Sequence, residues 1–374
     1  MPKILHVYGA TQDQGGILAV LRNLAEVSEA SDWQHYALMN SAFREISDSK
    51  LAFKYSSHLT DESESYIKLI YYSWNACKDI LNIIKSEKFD IIHGHSRGAL
   101  IALLLRSKWP CPVVFTNHAY ARHRWLYRAA ARRNMITVLL TEMMAKYYRL
   151  TIDKKRTFVI SSCCSDSFFL RPLILQPPIS QKRIFQLIGI GSMVPWKNWH
   201  LIPKALNLIP AKIRRNISVK IVGPILNNSK SVTYVQHLRD LIAFYNLNSQ
   251  ISIIGQSTRI EDELATADWL IHPALNEPCG LAVIEALARG IPVLASNQGG
   301  PRELITAKAT GLLFDPHSPQ SLADGILGAF YGRLNILPPD QIRETVRNRS
   351  ASAIHPLYTK LYSSLIQQGA EPSK

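Results

Sequence analysis

The chain has 374 residues, of which 47% are hydrophobic and 19% are charged. This is a globular composition, which excludes disordered and collagen-like proteins, and its length favours two domains over one. The formal net charge of +15 favours an anionic partner such as nucleic acid, an acidic membrane surface or a phosphorylated substrate.

The sequence predicts a cytoplasmic protein. No apolar run approaches the roughly 20 residues that span a bilayer. The first strand-like run begins almost at Met1, without the apolar stretch and cleavage site of a signal peptide. Five scattered cysteines without CxxC spacing indicate reduced thiols rather than a disulfide framework or a zinc site.

Short apolar runs alternate with helical periods along the whole chain. The first series of strand-like runs is Ile4–Val7, Asp90–His93, Pro112–Thr116, Ile136–Leu140 and Thr157–Ile160. The second series is Ile184–Gly189, Ile217–Gly223, Ile251–Gly255, Trp269–His272 and Pro292–Ala295. Continuous Val, Ile and Leu runs are typical of parallel strands covered on both faces. The pattern therefore predicts an α/β fold with two doubly wound, Rossmann-like domains.

A proline-rich stretch without a clear period, residues 171–182, predicts the linker between these domains. The N-terminal domain then covers residues 1–170 and the C-terminal domain residues 183–350. A last helical stretch within residues 351–374 could pack on either domain, including back on the N-terminal one.

The strongest local signal follows the buried strand Trp269–His272. A loop with Glu277 and Gly280 leads into a helix that begins near Leu281 and stops at Gly290. A helix N-terminus at the carboxyl end of a parallel strand attracts an anion, most often a phosphate, because its backbone N–H groups are free.

Two carboxylates flank this helix start, Glu277 in the loop and Glu285 about one turn inside the helix. Carboxylates only accept hydrogen bonds, so they suit the hydroxyl groups of a sugar or a ribose. The alternative is that one glutamate caps the helix and the other lies on its solvent face.

The spacing of Glu277 and Glu285 matches an E-x7-E motif, and the string NEPCGLAVIEALARGIPVLASNQGGPREL around them resembles glycosyltransferase family 4 (group 1) over its whole length. These are retaining enzymes with the GT-B fold, in which two Rossmann-like domains face a central cleft. The resemblance implies a hexosyltransferase that uses a nucleoside-diphosphate sugar, without a metal ion or another cofactor. It also implies that Glu277 holds sugar hydroxyls and Glu285 ribose hydroxyls. Backbone amides of Gly280, Leu281 and Ala282 would contact the sugar or the diphosphate.

A second stretch, residues 187–198, ends a strand in glycines and continues into a loop with Lys197. A lysine there neutralises charge that builds on a leaving diphosphate, although a surface lysine is the alternative. The stretch resembles the family's G-R-x4-K pattern. Lys197 matches the lysine, but Ser192 stands where arginine is usual, so another basic residue would have to complete the clamp.

The N-terminal half is matched more loosely. Gly15 and Gly16 resemble the family's GG loop near the donor. His95 and His118 each follow the end of a strand, and the stretches around them resemble the family's H-x-H and T-x-H patterns. A histidine at this end of a parallel strand faces the ligand crevice. It could contact the sugar or orient the acceptor. A purely structural histidine is the alternative for both. Residues 161–166 lack the Pro, Asn and Gly of the family's I-P-N-G-V-D pattern.

We predict His118, Lys197 and Glu277 as catalytic residues, and no general base is assigned. The resemblance favours a front-face route, in which the departing phosphate oxygen takes the acceptor proton and catalysis comes from positioning and charge stabilisation.

A basic helix is predicted around Arg124, Arg128 and Arg132, which recur every four residues beside Trp125. Cations with interfacial aromatic residues suit an anionic membrane surface, and the alternative is a solvated helix face. In the family this lobe faces the acceptor. We therefore expect peripheral binding to the inner membrane leaflet, where a lipid-linked, lipopolysaccharide or polysaccharide intermediate accepts the sugar.

Two other classes of function compete with a transferase: another enzyme with the same fold, and a protein without enzymatic activity. An epimerase with the same fold would lack the contiguous motif, and a phosphorylase would be much longer. A nucleic-acid binder would carry an RNP, zinc-finger or helix-turn-helix signature, none of which is present. A transferase-like scaffold without activity stays an alternative because of Ser192 and the altered stretch at 161–165.

Overall fold

The computed structural model describes residues 1–28, 32–46, 49–60, 66–132, 135–153, 155–173, 184–306 and 309–370. The strands are β1 (Lys3–Val7), β2 (Gln34–Asn40), β3 (Ala52–Ser56), β4 (Ile91–Gly94), β5 (Val113–Asn117), β6 (Ile136–Leu139), β7 (Thr157–Val159), β8 (Phe185–Ile190), β9 (Ile217–Val222), β10 (Ile251–Ile253), β11 (Trp269–His272), β12 (Val293–Ser296) and β13 (Gly311–Phe314). The α-helices are α1 (Gly16–Val27), α2 (Tyr66–Glu87), α3 (Arg97–Leu104), α4 (Arg124–Arg132), α5 (Glu142–Tyr148), α6 (Ser167–Leu170), α7 (Leu201–Leu208), α8 (Ala211–Arg214), α9 (Ser229–Phe244), α10 (Ile260–Ala265), α11 (Leu281–Ala288), α12 (Pro301–Leu304), α13 (Pro319–Phe330), α14 (Pro339–Glu344) and α15 (Ala351–Ala370).

The chain forms two compact units. The N-terminal unit comprises residues 1–163 and the C-terminal stretch from residue 351, and the C-terminal unit comprises residues 164–350. The division lies earlier than the predicted boundary at residue 170. Ser167 and Arg171 explain the difference, because they bind Glu261 and Asp262 of the C-terminal unit. Most of the predicted linker, residues 174–183, lies outside the described residues.

In the N-terminal unit, a parallel sheet has the strand order β3-β2-β1-β4-β5-β6-β7. The chain starts in the middle of this sheet and the order reverses between β1 and β4, which confirms the doubly wound topology. Strands β2 and β3 were not predicted. Polar and aromatic residues interrupt the apolar run of β2, and β3 is a partly exposed edge strand.

The C-terminal unit repeats this plan with a parallel sheet in the order β10-β9-β8-β11-β12-β13. The reversal lies between β8 and β11, and the core packs around the fully buried Trp199. Edge strand β13 was not predicted, because it begins with a glycine, has only three apolar residues and is partly exposed at its centre.

The last helix, α15, belongs to the N-terminal unit and packs against α1. Its Tyr362 is fully buried, and the phenol oxygen lies 2.6 Å from Nδ1 of His93 on β4. Oγ1 of Thr116 on β5 lies 2.7 Å from Nε2 of the same ring. Because both nitrogens of His93 are engaged, this histidine joins the last helix to the sheet.

Candidate functional site

The carboxyl edge of the C-terminal sheet brings two loops together. One loop follows β8 and the other follows β11, and these paired strands flank the point where the strand order reverses. Ligands of doubly wound folds bind at such a point. Lys197 from the first loop and Glu277 from the second meet there, with 2.5 Å between Nζ and Oε2. The structure thus places two of the three predicted catalytic residues in direct contact.

Glu277 is ionised although it is only 8% exposed. Burial is the largest single influence and opposes ionisation, but the Lys197 charge and His272, whose Nε2 lies 3.3 Å from the carboxylate, together outweigh it. Together they hold the pKa of Glu277 well below its ordinary value. Burial lowers the pKa of His272 itself, which the glutamate partly opposes. A neutral imidazole therefore lies beside the ionised carboxylate of Glu277.

Two glycines of the GGP stretch shape the backbone at Glu277. The Gly300 amide donates to the carbonyl of Glu277 at 2.7 Å. Gly299 has φ +72°, and a Cβ added to it would lie 2.3 Å from the same carbonyl oxygen. Side chains at these two positions would displace the loop that presents Glu277. The motif is therefore explained by backbone packing as well as by any ligand contact.

The N-terminus of α11 follows this loop. Gly280 is its N-cap with φ +86°, and no side chain of the described residues caps the helix. The amides of Leu281 and Ala282 belong to the first turn, where N–H groups lack an intrahelical partner. Such a turn can bind an anion, as the sequence predicted for these three residues.

Glu285, one turn further along α11, has the opposite electrostatic environment. It is partly buried, and burial raises the pKa of its carboxyl to about 8, with the negative charge of Glu261 contributing. Glu261 is itself held by Arg171, with 2.5 Å between Nε and Oε2. The sequence predicted a carboxylate that only accepts hydrogen bonds. The structure gives a neutral carboxyl at pH 7, which can also donate one.

Ser192, where the family usually has arginine, contributes its main chain to the loop after β8. Its carbonyl accepts from Nε1 of Trp199 at 3.1 Å and from the amide of Val194 at 2.9 Å. Trp199 also lies under Gly189, where an added Cβ would approach the ring to 2.7 Å. Sequence reasoning did not single out Trp199, yet it supports the loop that carries Lys197.

The N-terminal unit carries the other predicted donor residues. Gly15, with φ +100°, precedes the start of α1 at Gly16, and both are exposed. Asp13 in the same loop is buried and paired with Arg22 at 2.5 Å. This pair anchors the glycine loop to α1.

His95 and His118 contact each other, with 3.1 Å between Nδ1 and Nε2. Three further histidines surround them: His6, His35 and His93. Sequence reasoning missed these three, because their proximity comes from neighbouring strands rather than from spacing along the chain. Register offered a signal, since His6 of β1 lies directly opposite His93 of β4.

Within the described residues, His6, His93 and His95 form one group whose ligand atoms lie within 4.8 Å of one another, close enough to suggest a metal site. Every ring nitrogen of the three already has a hydrogen-bond partner. Each ring would therefore have to give up a bond to coordinate an ion.

The predicted arginine stripe on α4 is only partly free. Arg124 stacks over the Tyr147 ring at 3.9 Å. Arg128 donates from Nε to the carbonyl of Tyr148 at 2.8 Å, so its charge serves the packing of α4 on α5. Its role as a membrane-facing residue stays a prediction. The side chain of Arg132 lies outside the described residues.

Two family models match the chain. Residues 15–163 match the model described as Glycosyltransferase Family 4, and residues 176–335 match Glycosyl transferases group 1. Sucrose-phosphate synthase 4 of Arabidopsis thaliana is 40% identical over 106 residues, which cover 27% of this chain and 10% of that protein. The matched stretches cover 5% to 18% of the first sucrose and sucrose-phosphate synthases found.

Solved structures share the fold over nearly the whole chain. Sucrose-phosphate synthase of Thermosynechococcus elongatus has a TM-score of 0.80 at 19% identity, covering 98% of this chain and 100% of that one. HepE of Anabaena, solved in complex with UDP-glucose, has a TM-score of 0.76 at 18% identity with the same coverage.

If Lys197 and Glu277 form a buried ion pair, replacing either partner changes the free energy of unfolding in a defined way. Lys197→Met leaves a buried carboxylate with its main counter-charge removed, and we expect a loss of about 3 kcal/mol in the free energy of unfolding. Adding Glu277→Gln should recover much of this loss. Lys220→Met is the matched control, because it breaks a more exposed pair with Glu263 and should cost under about 1 kcal/mol. Urea unfolding measures all four proteins, and equal losses for the two lysine variants would contradict a buried ionised pair.

Glu285 predicts a pH dependence of stability. A carboxyl whose pKa is raised from 4.5 to about 8 on folding stabilises the fold fully below pH 4.5, and this contribution is lost as the pH rises through 8. We expect wild type to lose about 4 kcal/mol more stability than Glu285→Gln between pH 5 and pH 8.5. Urea unfolding at each pH measures the difference, and parallel pH curves would show that Glu285 is ionised throughout.

Proposed function

Because the chain belongs to the glycosyltransferases of family 4 (group 1), we propose that it is a retaining hexosyltransferase that takes its sugar from a nucleoside-diphosphate sugar. The observation that carries this proposal is the contact between Lys197 and Glu277 beside the uncapped N-terminus of α11. One cation, one carboxylate and a set of backbone amides are the groups that a nucleotide sugar requires, since it carries both phosphates and hydroxyls.

Donor binding would rearrange the charges of this site. The diphosphate would take the amides of Leu281 and Ala282 and the ammonium of Lys197, which then neutralises charge on the leaving group. Glu277 loses its partner in this exchange and becomes free to accept hydrogen bonds from sugar hydroxyls. Lys197 thus has a role in both states, since it binds Glu277 in the empty site and the diphosphate in the filled one.

Glu285 would bind the ribose hydroxyls. In the empty site it is protonated at pH 7, so it can accept one hydroxyl hydrogen through its carbonyl oxygen and donate to a second oxygen. The two glutamates of the motif thus have distinct roles, with Glu277 as the charged group and Glu285 as the neutral one.

Metal independence is part of the proposal. The positive charge that a divalent ion supplies to a leaving diphosphate in other transferases would come here from Lys197. Activity should therefore be unchanged by excess EDTA. Loss of activity in EDTA, restored by adding Mg²⁺ or Mn²⁺, would contradict this part.

Activity of site variants tests the donor site. A thermal-shift screen of UDP-, GDP- and ADP-sugars first identifies the donor, and its hydrolysis without acceptor then separates an enzyme from an inactive scaffold. We expect Lys197→Ala and Glu285→Ala each to lower kcat/KM by about 30-fold, corresponding to about 2 kcal/mol for a ligand group left without its hydrogen-bond partner. Lys220→Ala controls for removing a lysine of the same unit. Wild-type turnover in both site variants would end the assignment.

We further propose that the acceptor is a lipid-linked, lipopolysaccharide or polysaccharide intermediate, met at the inner face of an anionic membrane. In the described residues, no helix is long and apolar enough to cross a bilayer. Two helices of the N-terminal unit supply surface contacts instead. On α4, Trp125 is 68% exposed, next to the exposed Arg122 and Arg124.

The other helix is α2, which presents an exposed apolar stripe. Its side chains recur at helical spacing and are 54% to 81% exposed: Ile67, Ile70, Tyr71 and Trp74. Exposed aromatic and aliphatic residues on one helix face are typical of interfacial binding. Together with a net charge of +15, they support a peripheral mode of binding.

Vesicle sedimentation tests this surface. We expect anionic vesicles to bind more protein than neutral ones, and Arg122→Ser with Trp125→Ser to weaken that binding at least fivefold, since each basic residue contributes about 1 kcal/mol. Ile70→Ser with Trp74→Ser tests α2 in the same way. Phe244→Ser, which removes a 76% exposed side chain of the C-terminal unit, is the control. Equal binding to both vesicle types would reject the membrane proposal.

A further inference from the structure

Four histidines of the N-terminal unit form a continuous hydrogen-bonded chain, which we call the histidine relay: His118, His95, His6 and His35. Its three links join Nε2 of His118 to Nδ1 of His95 at 3.1 Å, Nε2 of His95 to Nδ1 of His6 at 2.9 Å, and Nε2 of His6 to Nδ1 of His35 at 2.8 Å. Every link pairs an Nε2 with an Nδ1, so all four rings are connected in the same sense.

The relay is uncharged. Burial lowers the pKa of His35 and His118 to about 3, and that of His6 and His95 well below the ordinary value, with neighbouring histidines adding to the effect in His35, His6 and His95. Outside the relay, the ring contacts of its members within the described residues are to His93 and His355, and no carboxylate contributes to the pKa of any of the four. Each relay ring therefore carries one proton.

A neutral imidazole has one N–H donor and one acceptor nitrogen. With one proton per ring, only two arrangements satisfy all three links. In the first, every ring is the Nδ1–H tautomer and donates towards His118. In the second, every ring is the Nε2–H tautomer and donates towards His35. A change at either end must therefore reverse all four rings.

The two ends of the relay decide between these arrangements. Nε2 of His35 is buried and has no hydrogen-bond partner among the described residues. The Nε2–H arrangement would leave a buried N–H donor unsatisfied there, which folded proteins avoid most strictly. The Nδ1–H arrangement leaves only an acceptor nitrogen unpaired and gives His118, which is partly exposed, a free Nδ1–H.

We propose that His35, His6 and His95 are positioning residues that hold His118 as its Nδ1–H tautomer, a neutral hydrogen-bond donor for an oxygen of a bound ligand. The tautomer follows from the relay alone. That the oxygen belongs to a sugar hydroxyl or a phosphate rests on the proposed function.

Nitrogen-15 NMR of histidine-labelled, ligand-free protein tests the relay directly, because Nδ1–H and Nε2–H tautomers have distinct shifts. Single replacements assign the four rings. We expect all four to be neutral Nδ1–H tautomers between pH 6 and pH 8. A mixture of tautomers, four Nε2–H rings or a protonated ring would each overturn the proposal.

Two replacements of His6 test the coupling between rings. His6→Gln can still accept from His35 and donate to His95, whereas His6→Met breaks the relay without adding charge. We expect His118 to stay Nδ1–H in His6→Gln and to become a mixture of tautomers in His6→Met. The same His118 spectrum in both variants would overturn the coupling. Should His6→Met fail to fold, the wild-type spectrum still decides the tautomers.

Two further measurements separate this inference from its alternatives. Zinc-induced shifts of His6, His93 and His95 in wild type would replace the relay with a metal site. With donor and acceptor present, we expect His6→Met to lower kcat/KM about tenfold and His6→Gln to restore it. Absence of any transferase activity would sink the proposed function and leave the tautomers untouched, whereas normal activity with mixed tautomers would sink only the relay.

Discussion

The ion pair between Lys197 and Glu277 is the contact on which the candidate site depends. Neither charge is stable alone at this depth, because an unpaired buried ion costs several kcal/mol. The pair therefore fixes the two loops that follow β8 and β11 with respect to each other. It also keeps a carboxylate and a cation ready for a ligand that carries both hydroxyls and phosphates.

The backbone around this pair is built from positions that tolerate no side chain. Gly299 and Gly300 lie against the carbonyl of Glu277, and Gly189 lies against Trp199. The charged groups are thus held by close packing of main chain and one buried ring, so that little needs to move when a ligand replaces one of the partners. A rigid frame of this kind is how a site made of loops can position charges accurately.

Much of this architecture could be predicted from the sequence, where the signal is local. Continuous apolar runs gave the parallel strands, β11 has the predicted bounds, and α11 begins at Leu281 as expected. Strand β2 was missed because polar residues interrupt it, and β3 and β13 were missed because they are partly exposed edge strands. The candidate sites show the same dependence on local signals. Lys197 could be found because it follows a glycine-rich strand in the sequence. The contacts of His6 with His35 and His95 could not, because they depend on which strands become neighbours.

The protonation states of the site residues could not be predicted from any sequence motif. Glu277 and Glu285 belong to one motif, eight residues apart, and both were predicted as carboxylates. Their surroundings separate them, since Lys197 and His272 lower the pKa of Glu277, whereas burial, with a contribution from Glu261, raises the pKa of Glu285. The histidines follow the same rule, because burial without a carboxylate keeps them neutral. Charge at each position is therefore set by the partners that the fold provides, and a chemical role assigned to a residue type becomes specific only when those partners are known.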